Sequence, residues 1–219
     1  MKMRVFVVVM MLSAWASAGI VIGVAGHNDS TCLPWSCLNI NTGNYEQTYN
    51  STAFPGAMTI SKILFFDTVY YDGPNQGVGQ FSGSVYLAVT SQAIPDGSIP
   101  GDAVLFATGS MNGQNWPFGK TLDIHGTPFY YDPSLGNLEL ILVPSAITGG
   151  PLSGVYTYFD AGYNNPFSFW CLGCGSNPGY GLVTGFNTSG PTTPEPGSMV
   201  LLGTGIVGLA GRLRRKFMR

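Results

Sequence analysis

Ser82-Gly83-Ser84-Val85-Tyr86-Leu87-Ala88-Val89-Thr90 sets apolar residues at every second position. Successive side chains of an extended strand point to opposite faces, so Val85, Leu87 and Val89 share one face. Leu138-Glu139-Leu140-Ile141-Leu142 does the same with Leu138, Leu140 and Leu142. Outward from these two stretches, further strand-like runs lie at 45–49, 58–69, 103–108, 121–125, 128–131, 155–159 and 180–186. Turn formers separate the runs: Asp72-Gly73-Pro74-Asn75, Pro95-Asp96-Gly97, Asp132-Pro133-Ser134-Leu135-Gly136-Asn137 and Gly149-Gly150-Pro151. No run before residue 199 sustains a helical period. About nine strands in roughly 160 residues predict an all-β fold, an antiparallel β-sandwich of jelly-roll-like kind.

Composition points the same way. Charged residues make up 9% of the 219-residue chain, against about 25% in an ordinary soluble protein. Gly (31) and Pro (15) are abundant, and aromatics reach 13%. That is too aromatic for disorder and too rich in turn formers for a helical protein. Seven of the nine basic residues sit near the two ends (Lys2, Arg4, Arg212, Arg214, Arg215, Lys216 and Arg219). Between residues 27 and 193, Lys62 and Lys120 stand against ten acids, a net charge of −8. Phosphate backbones repel such a body, which excludes nucleic acid as a partner.

The ends read as export and membrane signals. Lys2 and Arg4 precede an apolar run at 5–12 and then Ala16-Ser17-Ala18, the layout of a cleaved secretory signal. The expected cut falls between Ala18 and Gly19. Because apolarity resumes at 19–25, a cut after Ala25 and an uncleaved anchor are the alternatives. Near the other end, Thr192-Thr193-Pro194-Glu195-Pro196-Gly197-Ser198 precedes an apolar stretch at 199–211 and a basic cluster. A helix of about 15 residues reaches only about 22 Å, short of a roughly 30 Å hydrocarbon core. Arg212 and Arg214 can snorkel to lengthen it. Arg212, Arg214, Arg215 and Lys216 hold the end cytoplasmic, so the segment serves as a membrane stop.

Pro194, Glu195 and Pro196, the short glycine-containing apolar stretch and the arginine-rich end together resemble the PEP-CTERM sorting signal. The resemblance implies recognition and cleavage near Pro194-Glu195-Pro196 by an exosortase, a membrane-embedded cysteine transpeptidase-like protease. It also implies export to the cell surface or extracellular matrix of a Gram-negative bacterium that makes polysaccharide. Tyr45-Glu46-Gln47-Thr48-Tyr49-Asn50, Ala53-Phe54-Pro55-Gly56 and the run at 60–66 are similar to the opening of many PEP-CTERM ectodomains. Gly126-Thr127-Pro128-Phe129-Tyr130-Tyr131-Asp132-Pro133 with Gly136-Asn137-Leu138 resembles a hairpin of those proteins, and Gly181-Leu182-Val183-Thr184 a segment before their tails. The resemblance brings no catalytic residues. The expected division is a signal at 1–18 (or to 25), a β-sandwich ectodomain at 19–190 and the sorting signal at 191–219.

Within the ectodomain, Cys32-Leu33-Pro34-Trp35-Ser36-Cys37 and Cys171-Leu172-Gly173-Cys174 are two close cysteine pairs. In an exported protein the even count predicts disulfides, Cys32 with Cys37 and Cys171 with Cys174. Crossed pairing, a four-thiolate zinc site and a redox C-x-x-C are the alternatives. His27 and His125 carry no nucleophile motif beside them, and neither Gly-x-Ser-x-Gly nor His-Glu-x-x-His occurs. Asp67 with Asp72-Gly73-Pro74-Asn75-Gln76, and Asp132 with Asn137, group oxygen atoms as calcium requires, although Asp and Asn in turns commonly serve the turn. Tyr70, Tyr71, Trp116, Phe118, Tyr163, Phe167, Phe169 and Trp170 stand in or beside amide-rich segments, the chemistry of a sugar-binding face.

These features predict a non-enzymatic exported protein with no catalytic residue and no cofactor, with calcium as a candidate ion. The alternatives are a carbohydrate-binding module acting on polysaccharide, whose aromatics would converge on one exposed face, and a secreted hydrolase. A hydrolase would show a cleft with two facing carboxylates, or a carboxylate beside His125.

Overall fold

The alternating stretches at 82–90 and 138–142 lie side by side at the heart of the largest of the antiparallel sheets. The computed structural model describes residues 19–26, 29–34, 43–68, 80–111, 120–148, 159–164, 166–171, 173 and 175–188. All of them belong to one unit. Among them the strands are β1 (Ile20–Ile22), β2 (Ser30–Thr31), β3 (Tyr45–Tyr49), β4 (Met58–Asp67), β5 (Gln80–Thr90), β6 (Val104–Met111) and β7 (Lys120–Tyr131). They continue with β8 (Asn137–Thr148), β9 (Phe159–Gly162), β10 (Phe167–Cys171), β11 (Gly175–Pro178), β12 (Gly181–Leu182) and β13 (Thr184–Phe186). Among the described residues the helical element is one 3-10 turn, Ser51–Ala53, capped by the Asn50 side chain. No helix among the described residues is long and apolar enough to cross a membrane.

The six-stranded sheet has the order β11-β10-β3-β8-β5-β6 and the four-stranded sheet β1-β13-β4-β7, with a small third sheet β12-β9-β2. Period 2 decides which side chains go inside. Val85 and Leu87 of β5 and Leu138, Leu140 and Leu142 of β8 join Ile60, Ile63 and Phe65 of β4 and Leu122 and Ile124 of β7 in one core. Aromatic rings bridge the sheets: Tyr49 meets Phe186 edge-on at 5.1 Å, and Phe54 meets Tyr131 at 4.7 Å. Gln47 is a polar residue among them. Its Oε1 accepts from the Tyr45 hydroxyl (2.6 Å) and the Leu182 amide (2.8 Å), while its Nε2 donates to the Leu182 carbonyl (2.8 Å). A buried amide so fully partnered costs little and fixes β3 against β12.

Several expectations need correction. The runs at 121–125 and 128–131 are one continuous strand, β7, because Gly126 lets the chain pass under Phe106: a Cβ there would lie 2.5 Å from that ring. The segment 126–138 is not a hairpin. β7 pairs with β4, and β8 with β3 and β5, so the turn after Tyr131 carries the chain from one sheet to the other. The run at 180–186 is broken at Val183 into β12 and β13. β1, β2, β10 and β11 were not expected as strands at all.

Candidate functional site

The sorting motif and membrane stop (Pro194, Glu195, Pro196, Arg212, Arg214, Arg215 and Lys216) lie outside the described residues, as does Ala18. What the fold does show is how the first and the last described residues meet. Gly19 sits so close to the last described residue that a Cβ on it would fall 2.7 Å from the Thr188 backbone. Directly after it, Ile20, Val21 and Ile22 pair with Phe186, Gly185 and Thr184. The first and the last described segments are therefore neighbours. Asn187 locks this corner. Its Oδ1 accepts from the Ser61 amide (2.9 Å) and the Lys62 amide (3.2 Å), and its Nδ2 donates to the Thr59 carbonyl (2.6 Å). These bonds satisfy β4 where its register with β7 shifts between Ile60 and Lys62.

Cys32 and Cys171 are both disulfide-bonded, and no described cysteine is free. Cys37 and Cys174 lie outside the described residues. Cys171 ends β10 opposite Gly175, the first residue of the antiparallel partner β11.

Of the candidate sugar-binding aromatics, Tyr70, Tyr71, Trp116 and Phe118 lie outside the described residues. The other four do not share an exposed face. Phe167 and Phe169 are buried in the core, and Trp170 on the opposite face of β10 is covered by Gly97. Tyr163 is exposed and rests on Tyr180 with ring centroids 4.4 Å apart.

His27 is outside the described residues, whereas His125 is exposed on β7. With Asp123, Thr108 and Gly109 it lines a groove of about 190 Å³ between β5, β6 and β7. Asp123 accepts a 2.7 Å hydrogen bond from Thr121. Asp132 and Asn137 bond to separate partners. Asp132 accepts from the Ser134 amide (2.9 Å) within its own turn, while Asn137 accepts from the Ser51 amide (2.9 Å) and donates to the Gln92 carbonyl (2.8 Å). Of the proposed calcium loop only Asp67 is described; residues 72–76 are not.

Sequence reading missed two buried acid pairs. Asp160 of β9 accepts from the Gly26 amide (2.8 Å), the Thr68 amide (2.8 Å) and the Thr68 hydroxyl, tying three segments together. Burial, with Asp160 nearby, pushes the neighbouring Asp67 carboxyl up to about 7. The second pair lies on the outer face of the six-stranded sheet. Glu46 and Thr48 of β3 point away from the core there, and Glu139 of β8 stands directly opposite Thr48. Residues 91–103 fold over this face, and the Gly97 amide donates to Glu46 Oε2 at 2.8 Å. Burial raises the Glu46 carboxyl, and burial, then Glu46 and Asp96, push Glu139 up to about 7. Glu46 Oε1 and Thr48 Oγ1 are buried without a hydrogen-bond partner. No group of three or more His, Cys, Asp or Glu among the described residues is placed to hold a metal ion. Neither acid pair lines the groove at His125.

Comparison with known proteins gives one match. The family model of the PEP-CTERM protein-sorting motif matches residues 192–216. No curated protein and no solved structure matches the chain. The matched motif marks a chain that is exported and sorted by an exosortase-type protein through a membrane-anchored signal.

Proposed function

We propose that this chain, which carries a PEP-CTERM sorting motif, is a non-enzymatic protein of the cell surface or extracellular matrix of a Gram-negative bacterium. In this reading a secretory signal is cut between Ala18 and Gly19, and the exosortase-type partner then cuts near Pro194-Glu195-Pro196. The match at residues 192–216 carries the proposal.

The fold supports the same processing scheme. β1 starts at Ile20, and Ile22 is buried, so a cut after Ala25 would strip a paired strand from the sheet. The last strand ends at Phe186, so cleavage near residue 194 leaves the paired elements whole. The ectodomain is read as an antiparallel β-sandwich, jelly-roll-like in that the chain crosses between sheets at β3–β4, β4–β5, β6–β7 and β7–β8. Bridges Cys32–Cys37 and Cys171–Cys174 complete the reading, since short separations favour local partners in an oxidising compartment. Polysaccharide remains the proposed surroundings of the mature protein.

Replacing Pro194, Glu195 and Pro196 by alanine in a host with an exosortase tests the proposal. The expected result is accumulation of a membrane-bound precursor and loss of surface or matrix delivery. Delivery at the unmodified level would contradict it.

A further inference from the structure

On the outer face of the six-stranded sheet, Thr48 and Glu139 stand opposite each other across the β3–β8 ladder, and Glu46 is two residues along on the same face. Directly opposed Cβ atoms lie about 4.5–5.5 Å apart and diagonal ones within reach of long side chains, so three oxygen-bearing side chains converge. The ladder neighbours of this cluster are Ile141 and Trp170 beside Glu46, Ser168 beside Thr48 and Ala88 beside Glu139. None carries a positive charge. Residues 91–103, folded above, contain Asp96 and Asp102 and no Lys or Arg.

Two atoms here lack what burial demands. Glu46 is fully buried and Thr48 is 1% exposed, yet Glu46 Oε1 and Thr48 Oγ1 have no hydrogen-bond partner. A buried carboxylate oxygen and a buried hydroxyl left unpaired are each costly, and a second carboxylate beside them adds repulsion. A cation supplies what Glu46 Oε1 and Thr48 Oγ1 lack and offsets the repulsion from Glu139. A protein partner cannot, because the face is already closed by residues 91–103, with Gly97 bonded to Glu46 and packed on Trp170.

We infer that Glu46, Thr48 and Glu139 hold a hard divalent cation of the calcium kind beneath the 91–103 segment. The donor set is all oxygen, with two carboxylates and a hydroxyl and no His or Cys, which selects calcium-like ions over zinc or copper. Calcium accepts six to eight ligands in flexible geometry, leaving the remaining positions to water. The site lies on a different sheet from Asp67 of β4, and its loading would pin the 91–103 segment to β3 and β8.

Thermal unfolding of the full-length chain in detergent at pH 8, in calcium chloride or in EDTA, tests the inference. Wild type is expected to melt higher in calcium. Glu139→Gln and Thr48→Val should each raise the calcium concentration for half the effect by on the order of tenfold or more. Thr48→Val also separates ligand loss from misfolding. Without calcium it removes an unpaired hydroxyl and should melt at or above wild type, and it suits a strand. A wild-type melt indifferent to calcium overturns the inference. So do variants that respond as wild type does, because the ion then binds elsewhere. Glu139→Gln raising the melt equally in both solutions would show two acids sharing a proton instead of an ion, and would also overturn it.

Discussion

Asn187 shows how one side chain can hold a corner of this fold. With φ of 54° it occupies the left-handed region that Asn tolerates better than most residues. Its amide N–H also donates to the Lys62 carbonyl at 2.9 Å, adding a backbone link to β4. Asn187→Ala should lower the free energy of unfolding by about 2–3 kcal/mol, since several backbone groups lose partners at once. Asn187→Gly, which suits the backbone but lacks the amide, should lose nearly as much. Urea denaturation of both variants checks this, and a loss confined to the alanine variant would assign the effect to backbone strain alone. Nothing local in Gly-Phe-Asn-Thr announces such a role, because the partners at Thr59, Ser61 and Lys62 are more than 120 residues away. Gln47 was equally hidden. Its strand reads as alternating, but only the arrival of Leu182 makes an amide tolerable inside the core.

At the scale of elements, the long strands and the short β3 were legible, while β1, β2, β10 and β11 were not. The alternation in β5 and β8 marks two strands that bury one apolar row, and the turn residues bounding them were visible. β10 escaped because Phe167 and Phe169 face the core while Trp170 is covered from the other side, so its apolar run lacks a clean period. The cover is the segment 91–103, whose Pro-Asp-Gly reads as a solvent turn although Gly97 is pressed onto Trp170. Gly97 has φ of 91°, and a Cβ on it would lie 2.5 Å from the Trp170 ring. Gly97→Ala should therefore cost about 1–2 kcal/mol and increase acrylamide quenching of tryptophan fluorescence. The quenching change should vanish in a Trp170→Phe background; its persistence there would show that the segment does not move off Trp170.

The same cover explains why the acids of the second pair are buried, and burial sets a pH dependence. Asp67 and Glu139 titrate at about 7 in the folded chain, against about 4 when unfolded. Between those values the folded protein holds more protons than the unfolded chain. Stability in EDTA should accordingly fall as pH rises from about 4 to about 7, and level off above. Glu139→Gln and Asp67→Asn should each flatten that slope and raise the urea midpoint at pH 8 relative to wild type. Midpoints that climb from pH 5 to pH 8 would contradict these buried, proton-holding carboxyls.

For the whole molecule, the clearest sequence signal lies in the tail, outside the part whose fold is described. Pro194-Glu195-Pro196, the apolar stretch and the basic end are read locally, so no distant contact is needed to recognise them, and the family match falls on the same residues. The ectodomain gives no comparable local signature for a ligand, because its unusual groups, Glu46, Thr48 and Glu139, come together only through strand pairing. Where the fold and the tail meet is informative. Gly19 lies against Thr188, and β1 pairs with β13, so the first and last described segments are fixed beside each other. Neutralising Arg212, Arg214, Arg215 and Lys216 should abolish membrane halting and release the chain early, uncut at the motif. Retention and processing at the normal level, followed by fractionation and immunoblotting, would refute the membrane-stop role. The central claim, export followed by removal of both end segments, is tested most directly by the intact mass of the mature protein from a host with an exosortase. The account predicts a chain that begins at Gly19 and lacks the arginine-rich end. A mass that retains Arg219 would contradict it.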